Sequence, residues 1–422
     1  MDTIFSPTAL HGVVPAPASK SEAHRRLICA GLTSGETVIS GFMPSGDTEA
    51  TARCIRALGT KVSLDGDRLT VLGGGAPQDQ PLYDCGESGS TLRFFVPLSL
   101  ALTGGGIFRM RGQLSRRPMD IYRDLFVPQG VDWAMREGAD GTAELIVRGS
   151  LPNGDYVLPG NVSSQFVSGL LFALPLLKED STLRVLPPVE SASYITMTVK
   201  AIRESGVTLE ETGTASWHIP GRQEYKAKSG KIHGDWSQAA VLLCMGALGG
   251  DVTVTGIDRS SVQGDRAIVD VLRRLGANVE EDEHSVRVHG GQLRGAAMDM
   301  RGTPDIAPIV ALVCQMAEGE SVLGGCSRLR LKESDRLKIT VRMLKQMGGN
   351  ARVSGERLII QGVKQLKGGV TLDPAGDHRM VMLASAAALA ADSPITVRDQ
   401  EALAKSWPDY LSVYKALGGK AE

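Results

Sequence analysis

Charged and hydroxyl side chains gather at the starts of the predicted helices of this 422-residue chain. A helix start carries unpaired backbone N–H donors and the positive end of the helix dipole, so it favours anions. One set of clusters is Ser19-Lys20-Ser21 with Arg25, Gly86-Glu87-Ser88-Gly89-Ser90 with Arg93, Ser163-Ser164-Gln165, Asp235-Trp236-Ser237-Gln238, Asp305, and Asp377-His378-Arg379. The other set is Arg116-Arg117-Pro118, Ser191 with Tyr194, Lys332-Glu333-Ser334-Asp335-Arg336, and Lys405 ahead of Trp407-Pro408. Taken singly, serine or aspartate at these positions need be no more than a helix cap.

The basic residues of these clusters carry more information than the caps. A cation in the first turn opposes the helix dipole, and Arg25, Arg93 and Arg379 also interrupt largely apolar sequence. Pairing with a carboxylate or with a ligand phosphate would offset that cost. Together with the acidic groups and the histidine at the same helix starts, these cations indicate a site for a small molecule with several negative charges. No residues stand at metal-ligand spacing, so we expect neither a metal nor a cofactor.

The same pattern recurs six times along the chain, at a period of about 70 residues. Each copy contains an apolar helix, a strand, an amphipathic helix that ends at a glycine, and further strand sequence. These glycines are Gly59, Gly130, Gly206, Gly276, Gly348 and Gly418, and left-handed backbone is expected at each. The apolar helices are predicted to be buried among other helices, and Pro97 and Pro175 are expected to break two of them.

Six repeats exceed one hydrophobic core and predict an α/β (α+β) protein of two domains with three repeats each. One domain is predicted at 19–233 and the other at 1–18 plus 234–422, since a short strand precedes the first full repeat. The chain would then cross twice, at a hinge near 16–20 and 228–235. If three repeats pack with pseudo-threefold symmetry, their buried helices run parallel, and six helix starts converge on one cleft between the domains.

Composition argues against several classes of partner. There are 46 Lys and Arg and 47 Asp and Glu, a net charge of −1, so no overall field favours nucleic acid or a membrane. We find no signal peptide after Asp2, and apolar helices of 11 to 15 residues are too short to span a bilayer. Six scattered cysteines without a Cys-x-x-Cys pair indicate buried free thiols in a reducing cytoplasm.

At the clustered residues the chain closely resembles the 5-enolpyruvylshikimate-3-phosphate synthase (EPSP synthase) family, over essentially its whole length. The resemblance rests on PASKSEAHRRL at 17–27, GESGSTLRF at 86–94, GNVSSQF at 160–166, TPDIAP at 303–308, RLKESDRL at 330–337, DHRM at 377–380 and KSWPDY at 405–410. The family fold has two domains of three βαβαββ units on a two-stranded hinge, which agrees with the repeats. Members are usually monomeric, so we expect a monomeric cytoplasmic enzyme.

The resemblance implies a reaction and a role for each matching residue. The enolpyruvyl group of phosphoenolpyruvate would pass to the 5-hydroxyl of shikimate 3-phosphate through a tetrahedral intermediate, with release of phosphate. The implied catalytic residues are Lys20 and Glu333 for proton transfer, Asp305 for the hydroxyl proton, and His378. The implied contacts of shikimate 3-phosphate are Lys20, Ser21, Arg25, Ser163, Ser164, Gln165, Ser191, Tyr194, Asp305 and Lys332. Those of phosphoenolpyruvate are Lys20, Gly89, Arg116, Arg117, Gln165, Arg336, Arg379 and Lys405.

Three features depart from the family pattern. Glu87 stands where the family motif has asparagine, which adds a carboxylate to a loop that is expected to bind phosphate. Phe94 replaces the common proline or leucine behind that loop. The segment GQLSRRP at 112–118 is two residues shorter than usual; Arg117 aligns well, and Arg116 is our choice for the remaining phosphoenolpyruvate arginine.

Three other interpretations explain less. An enolpyruvyl transferase that acts on UDP-N-acetylglucosamine shares the repeats but has a reactive cysteine in the loop that is GQLSRRP here, and no cysteine lies between Cys85 and Cys244. A DNA sliding clamp needs a basic inner helix surface, whereas these inner helices are apolar. A purely structural repeat protein leaves the charge clusters at 332–336 and 377–379 without a role.

Overall fold

The computed structural model describes residues 2–422, and of Ala139 it describes only the backbone. The chain divides into two compact units. One unit is residues 18–232, and the other is residues 233–422 together with the N-terminal segment that ends at Pro17. Met1, which belongs to the predicted segment 1–18, lies outside the described residues.

Within residues 2–422 there are 12 α-helices and 24 strands. The helices are α1 (Lys20–Gly31), α2 (Gly46–Ala57), α3 (Gly89–Leu102), α4 (Asp120–Phe126), α5 (Ser164–Ala173), α6 (Ala192–Glu204), α7 (Trp236–Ala247), α8 (Ile268–Arg274), α9 (Ala307–Gln315), α10 (Arg336–Gln346), α11 (His378–Ala387) and α12 (Tyr410–Ala416). The strands are β1 (Thr3–Ser6), β2 (His11–Pro15), β3 (Glu36–Ser40), β4 (Lys61–Asp65), β5 (Arg68–Leu72), β6 (Leu82–Gly86), β7 (Gly105–Met110), β8 (Asp132–Glu137), β9 (Ala143–Arg148), β10 (Asp155–Pro159), β11 (Ser181–Leu186), β12 (Glu210–Gly213), β13 (Ser216–Ile219), β14 (Gly230–Lys231), β15 (Asp251–Thr255), β16 (Ala277–Glu281), β17 (Ser285–Gly291), β18 (Ala297–Asp299), β19 (Glu320–Gly324), β20 (Asn350–Ser354), β21 (Arg357–Gln361), β22 (Thr371–Leu372), β23 (Ile395–Val397) and β24 (Lys420–Ala421).

The strands form six four-stranded sheets with one common order. In the unit 18–232 the sheets are β14-β3-β5-β4, β6-β7-β9-β8 and β10-β11-β13-β12. In the other unit they are β2-β15-β17-β16, β18-β19-β21-β20 and β22-β23-β1-β24. The first two strands of each sheet are parallel, which requires a crossover, and the remaining pairs are antiparallel. Each repeat is therefore a βαβαββ unit, and the fold class predicted from the sequence is confirmed.

Three strands belong to sheets whose other strands lie far from them in the sequence, namely β1, β2 and β14. β2 pairs in parallel with β15, with Val14 beside Val254, and β1 lies between β23 and β24. β14 pairs with β3, with Gly230 beside Ile39. The first, fourth and sixth repeats therefore have the same four-stranded sheet as the others, although the chain does not supply their strands in succession.

A glycine follows the second helix of every repeat in the left-handed conformation. The φ angles of Gly59, Gly130, Gly206, Gly276, Gly348 and Gly418 lie between 76° and 92°. Residues with a Cβ rarely adopt this backbone, whereas glycine does so at little cost. The prediction from the 70-residue period is confirmed at all six positions.

The first helix of each repeat is buried, as its apolar sequence predicted. Every residue of α7, α9 and α11 is buried. Polar side chains on these helices concentrate at their starts: Asp235 accepts from the backbone N–H of Ser237 and Gln238, and Asp377 accepts from that of Arg379. Within residues 2–422, no helix combines the length and apolar character needed to cross a membrane.

The prediction that Pro97 breaks its helix is wrong, because α3 continues through this residue. Proline has no N–H, so the carbonyl of Arg93, four residues earlier, loses its usual helical donor. The Tyr122 hydroxyl lies 2.9 Å from that carbonyl oxygen and 2.8 Å from the carbonyl oxygen of Phe166 in α5. The Tyr122 hydroxyl can therefore donate to the Arg93 carbonyl, which has no helical N–H donor because residue 97 is proline. Pro175 follows the end of α5, in a short 3₁₀ helix.

Candidate active site

Lys20 is the first residue of α1, directly after the cap residue Ser19, whose side chain accepts from the backbone N–H of Glu22. Lys20 Nζ lies 2.7 Å from Asp47 Oδ2, and the two side chains are only 19% and 16% exposed. This carboxylate offsets the unfavourable position of an ammonium group at a helix start. The predicted proton-transfer lysine is therefore held by a residue that the sequence did not single out.

The buried Arg25 connects α1 to α6. Its Nε donates to Thr198 Oγ1 at 2.8 Å, its Nη1 to the Ser21 carbonyl at 2.7 Å, and its Nη2 to the Tyr194 carbonyl at 2.8 Å. The guanidinium also lies 5.6 Å from the ring centre of Phe94, and its burial lowers the pKa of Arg25 to about 10. These contacts use three of the five N–H groups of the Arg25 guanidinium.

The Gln165 side chain is fixed by two residues of α3. Arg93 Nη1 donates to Gln165 Oε1 at 2.6 Å, and Gln165 Nε2 donates to Ser90 Oγ at 2.8 Å. Arg93 Nη2 also donates to the Pro118 carbonyl at 3.0 Å. Arg93 therefore ties the start of α5 to the short segment that carries Arg117.

The predicted serines lie at three helix starts in the unit 18–232, and Ser21 is the second residue of α1. Ser163 caps α5 by accepting from the Gln165 N–H at 3.3 Å, and Ser164 is the first residue of that helix. Ser191 precedes α6 with a left-handed φ of 53°, a conformation that non-glycine residues adopt at a cost and that clusters at functional sites. Ser163 thus serves as a helix cap, which was the simpler interpretation of a serine at a helix start.

Arg117 lies over the start of α3, whereas Arg116 does not. A Cβ built on Gly89 would stand 2.4 Å from Arg117 Nη1, so the guanidinium occupies the space that a side chain at this position would need. Arg116 is exposed, and its Nη1 lies 3.5 Å from Gln113 Oε1. Of the two predicted arginines, the structure brings only Arg117 to the glycine loop.

The carboxylate of Glu87, which replaces the asparagine of the family motif, lies against the segment that begins at Gly112. A Cβ on Gly112 would stand 2.5 Å from Glu87 Oε2, so this carboxylate lies directly against the Gly112 backbone. Gly112 opens the shortened segment 112–118 that ends with Arg117 and Pro118. Two of the three departures from the family pattern, Glu87 and the shortened segment, are therefore neighbours in space.

Arg336 is the centre of a charge cluster in the other unit. It is the first residue of α10, and it is 1% exposed. Its guanidinium donates from Nε to Asp377 Oδ2 at 2.8 Å, from Nη1 to Asp305 Oδ1 at 2.8 Å and from Nη2 to Glu333 Oε2 at 2.6 Å. Lys332 Nζ lies 3.0 Å from the same Asp305 oxygen. Arg336 thus binds two other predicted site residues, Asp305 and Glu333, and Lys332 joins the cluster through Asp305.

Burial and charge act in opposite directions on the pKa values of this cluster. Burial raises the pKa of Asp305, but the charges of Lys332 and Arg336 outweigh it and hold this pKa well below its usual range. Burial lowers the pKa of Lys332, against the opposing effect of Asp305. Burial also lowers the pKa of Arg336, but its carboxylates together raise it above its usual value. At neutral pH Asp305 is therefore an ionised carboxylate, the form that can accept a proton.

The start of α11 gathers the remaining predicted residues. The buried Arg379 donates from Nη1 to the Ser237 carbonyl at 2.8 Å. His378 is also buried, with Nδ1 3.8 Å from Asp377 Oδ1. Lys405 Nζ donates to the Gly376 carbonyl at 3.0 Å. Arg379 and Lys405, both predicted to bind phosphoenolpyruvate, therefore each donate to a backbone carbonyl of the same unit.

Several residues that hold the site were missed from the sequence. Asp47 and Asp377 pair with Lys20 and Arg336, yet an aspartate at a helix start is ordinary and gave no distinguishing signal. Arg93 was distinguished in the sequence as a charge among apolar residues. Its partner Gln165 could not be identified, because it lies 72 positions further along the chain. Among residues 2–422 no three or more His, Cys, Asp or Glu side chains are grouped to hold a metal ion, and the six cysteines are buried and free.

The fold of this chain is the one found in solved structures of enolpyruvyl transferases. The structure of EPSP synthase from Acinetobacter baumannii matches it with a TM-score of 0.81 at 24% identity, over 100% of this chain and 99% of that one. The enolpyruvyl transferase NikO from Streptomyces tendae matches with a TM-score of 0.79 at 20% identity, over 100% of this chain and 98% of that one.

The sequence places the chain within that class. The model of the family described as EPSP synthase (3-phosphoshikimate 1-carboxyvinyltransferase) matches residues 4–414. The 3-phosphoshikimate 1-carboxyvinyltransferase of Clostridium perfringens (strain ATCC 13124) is 38% identical over 419 residues, 99% of this chain and 98% of that protein. That of Clostridioides difficile (strain 630) is 36% identical over 427 residues, 99% of this chain and 97% of that protein. The chain belongs to the EPSP synthase family, and the resemblance stated from its motifs is confirmed.

Proposed function

We propose that this chain transfers the enolpyruvyl group of phosphoenolpyruvate to the 5-hydroxyl of shikimate 3-phosphate and releases phosphate. Membership of the EPSP synthase family supports the reaction. The observation that carries it is the cluster around Arg336, where one buried guanidinium holds Glu333, Asp305 and Asp377. Such a cluster supplies both a cation for a substrate carboxylate and carboxylates for proton transfer.

The chemistry needs proton donors and acceptors near one carbon. Protonation of C3 of phosphoenolpyruvate makes C2 electrophilic, and the 5-hydroxyl oxygen adds to C2 as its own proton leaves. Loss of a proton from C3 of the tetrahedral intermediate then re-forms the double bond and breaks the C2–O bond to phosphate. Glu333 and Lys20 exchange the C3 proton, and Asp305 accepts the hydroxyl proton.

Arg336 links binding to proton transfer in this proposal. Its Nη2 donates to both Glu333 and Asp377. The Glu333 side chain is 24% exposed, whereas that of Asp377 is fully buried, so Glu333 is the partner that an entering carboxylate can replace. Exchange of Glu333 for the substrate carboxylate keeps Arg336 neutralised and releases Glu333 for its catalytic role.

The remaining groups bind the two anions. We assign shikimate 3-phosphate to Lys20, Ser21, Arg25, Ser163, Ser164, Gln165, Ser191, Tyr194, Asp305 and Lys332. We assign phosphoenolpyruvate to Lys20, Gly89, Arg117, Gln165, Arg336, Arg379 and Lys405, with His378 beside them as a catalytic residue. Arg116 remains a proposed contact of phosphoenolpyruvate that would require its exposed side chain to change direction.

Phosphate release tests the proposal. The purified protein is given phosphoenolpyruvate with either shikimate 3-phosphate or UDP-N-acetylglucosamine, and Glu333→Gln is compared with Glu283→Gln, whose exposed side chain lies outside the cluster. Release with shikimate 3-phosphate alone, lost in Glu333→Gln and kept in Glu283→Gln, supports the proposal. Release only with the nucleotide sugar, or from neither mixture, refutes it.

We also propose that the protein acts as a monomer in the cytoplasm. Six buried cysteines, none in a disulfide, suit a reducing compartment. Light scattering coupled to size exclusion tests the first part, since a monomer should give a mass near 44.8 kDa. A mass twice that value would contradict it.

A further inference from the structure

A line of buried side-chain hydrogen bonds joins α1 to the start of α3. His24 Nδ1 lies 2.7 Å from Thr51 Oγ1, which lies 2.7 Å from Thr91 Oγ1. Thr91 Oγ1 in turn donates to Ser88 Oγ at 2.7 Å. All four side chains are at most 1% exposed, and none belongs to the proposed catalytic or binding residues. Four polar side chains at this depth are costly unless each bond in the line is made.

The number of available protons fixes the direction of this line. Each threonine hydroxyl has one proton, and that of Thr91 is given to Ser88. Thr51 must then donate to Thr91, so its own proton is used, and His24 Nδ1 must be the donor to Thr51. Burial lowers the pKa of His24 to about 3, so the ring is neutral near pH 7 and carries its one proton on Nδ1. Among the described residues, His24 Nε2 has no hydrogen-bond partner, which agrees with an unprotonated nitrogen.

The line ends at the residue that sets the position of the glycine loop. Ser88 is the cap of α3, where its Oγ also accepts from the Thr91 backbone N–H at 3.2 Å. Gly89 follows directly and lies against the Arg117 guanidinium. Displacement of Ser88 would therefore move the first N–H groups of α3, which are the donors that an anion at this helix start would use.

We propose that His24 is a positioning residue, which acts through Thr51 and Thr91 to hold Ser88 and with it the phosphoenolpyruvate-binding start of α3. The inference rests on the proposed function, because it concerns one substrate of that reaction. His24 touches neither substrate. Its effect should appear in the binding of phosphoenolpyruvate far more than in that of shikimate 3-phosphate.

Two substitutions of His24 separate hydrogen bonding from packing. An asparagine amide can donate from nearly the position of Nδ1, whereas leucine fills similar space without a donor. We expect His24→Leu to raise the KM for phosphoenolpyruvate about tenfold, as loss of one buried hydrogen bond suggests. His24→Asn should stay within about twofold of the unchanged protein. Equal effects of the two substitutions, or equal changes in both KM values, would overturn the proposal.

Epistasis tests whether the line acts through Ser88. Thr51→Val and Thr91→Val remove a hydroxyl with little change of shape, and each should raise the KM for phosphoenolpyruvate. In a Ser88→Gly background, which keeps an acceptable cap residue, Thr51→Val should add nothing. Thr60→Val is the matched control, since this buried threonine donates to the Gly31 carbonyl away from the line. Fully additive effects of Thr51→Val and Ser88→Gly would contradict the proposal.

The tautomer of His24 can be measured by NMR in protein to which no substrate is added. Long-range ¹H–¹⁵N spectra of protein labelled at histidine, with His24→Asn to assign the signal, should show a neutral ring protonated at Nδ1. A ring protonated at Nε2 would refute the line as derived. If the wild-type protein releases no phosphate, the proposed function is refuted. The tautomer of His24 would still test the hydrogen-bonded line, because its measurement does not depend on activity.

Discussion

Arg336 and Asp377 form a two-point contact inside the unit 233–422, from Nε to Oδ2 at 2.8 Å and from Nη2 to Oδ1 at 3.2 Å. Both side chains are almost completely buried. The same Asp377 carboxylate accepts from the backbone N–H of Arg379 and so caps α11. One buried carboxylate therefore fixes the cation of one helix start and the backbone of another.

Removal of the Asp377 charge should destabilise the protein strongly. Asp377→Asn keeps an oxygen for the α11 cap but leaves Arg336 with less negative charge in a buried position. We expect a loss of about 3 kcal/mol in the free energy of unfolding, in the range found when one partner of a buried ion pair is removed. Urea titration followed by circular dichroism measures it. Asp270→Asn, at an exposed position in α8, is the control and should change little.

A methyl group at Gly89 should displace Arg117. The Cβ of Gly89→Ala would stand 2.4 Å from Arg117 Nη1, so the guanidinium must move away from the start of α3. We expect the KM for phosphoenolpyruvate to rise about tenfold, as loss of a charge-assisted hydrogen bond suggests. Steady-state kinetics with each substrate varied in turn would show this. Gly213→Ala, whose Cβ would meet nothing closer than 3.9 Å, should leave both KM values unchanged.

The contact between Tyr122 and the Arg93 carbonyl predicts a coupling with Pro97. Tyr122→Phe removes the donor and should cost about 1–2 kcal/mol of unfolding free energy, because a buried carbonyl is left unserved. Pro97→Ala restores an N–H four residues after that carbonyl. The cost of Tyr122→Phe should therefore be smaller in the Pro97→Ala protein, and a double-mutant cycle by urea titration measures the difference. Equal costs in both proteins would mean that the Tyr122 hydroxyl does not compensate for the N–H that Pro97 lacks.

The lowered pKa of Asp305 predicts how stability changes in acid. A carboxyl with a folded-state pKa below its unfolded value contributes stability above the unfolded value, about 3.9, and loses it as the pH falls through the folded pKa. The unfolding free energy should therefore fall with decreasing pH below about 4, and less steeply in Asp305→Asn. Urea titrations between neutral pH and the acid limit would measure both slopes. Identical slopes would contradict a lowered pKa for Asp305.

The repeats and the helix starts could be predicted because they depend on local sequence. The period of the glycines predicted the six left-handed positions, and the polar clusters predicted where the first helices start. Both predictions were possible because a helix cap and a hydrophobic period depend on residues close together in the sequence. Charges in apolar sequence identified Arg25 and Arg379 before their partners were known.

The partners themselves could not be predicted, because they come from distant parts of the chain. Lys20 and Asp47 are 27 positions apart, and Arg336 and Asp377 are 41 apart. Pro97 was expected to break α3 because Tyr122 is out of reach of any local pattern. His24 stands next to two arginines, and nothing in its local sequence distinguished it from them; only the distances from His24 to Thr51 and from Thr51 to Thr91 gave it a role.

The pairing of β1 sets an order of events during synthesis. Phe5 is paired with Ile395 and Ala421, so this strand has to wait until about 390 more residues have been added before its first partner exists. At about 5–20 residues per second, the ribosome needs on the order of 20–80 s for that length. The strands of the unit 18–232 lie between residues 36 and 231, so all of their partners exist much earlier. β1 is therefore made long before its partners, and a nascent chain must keep the strand from pairing elsewhere until they exist.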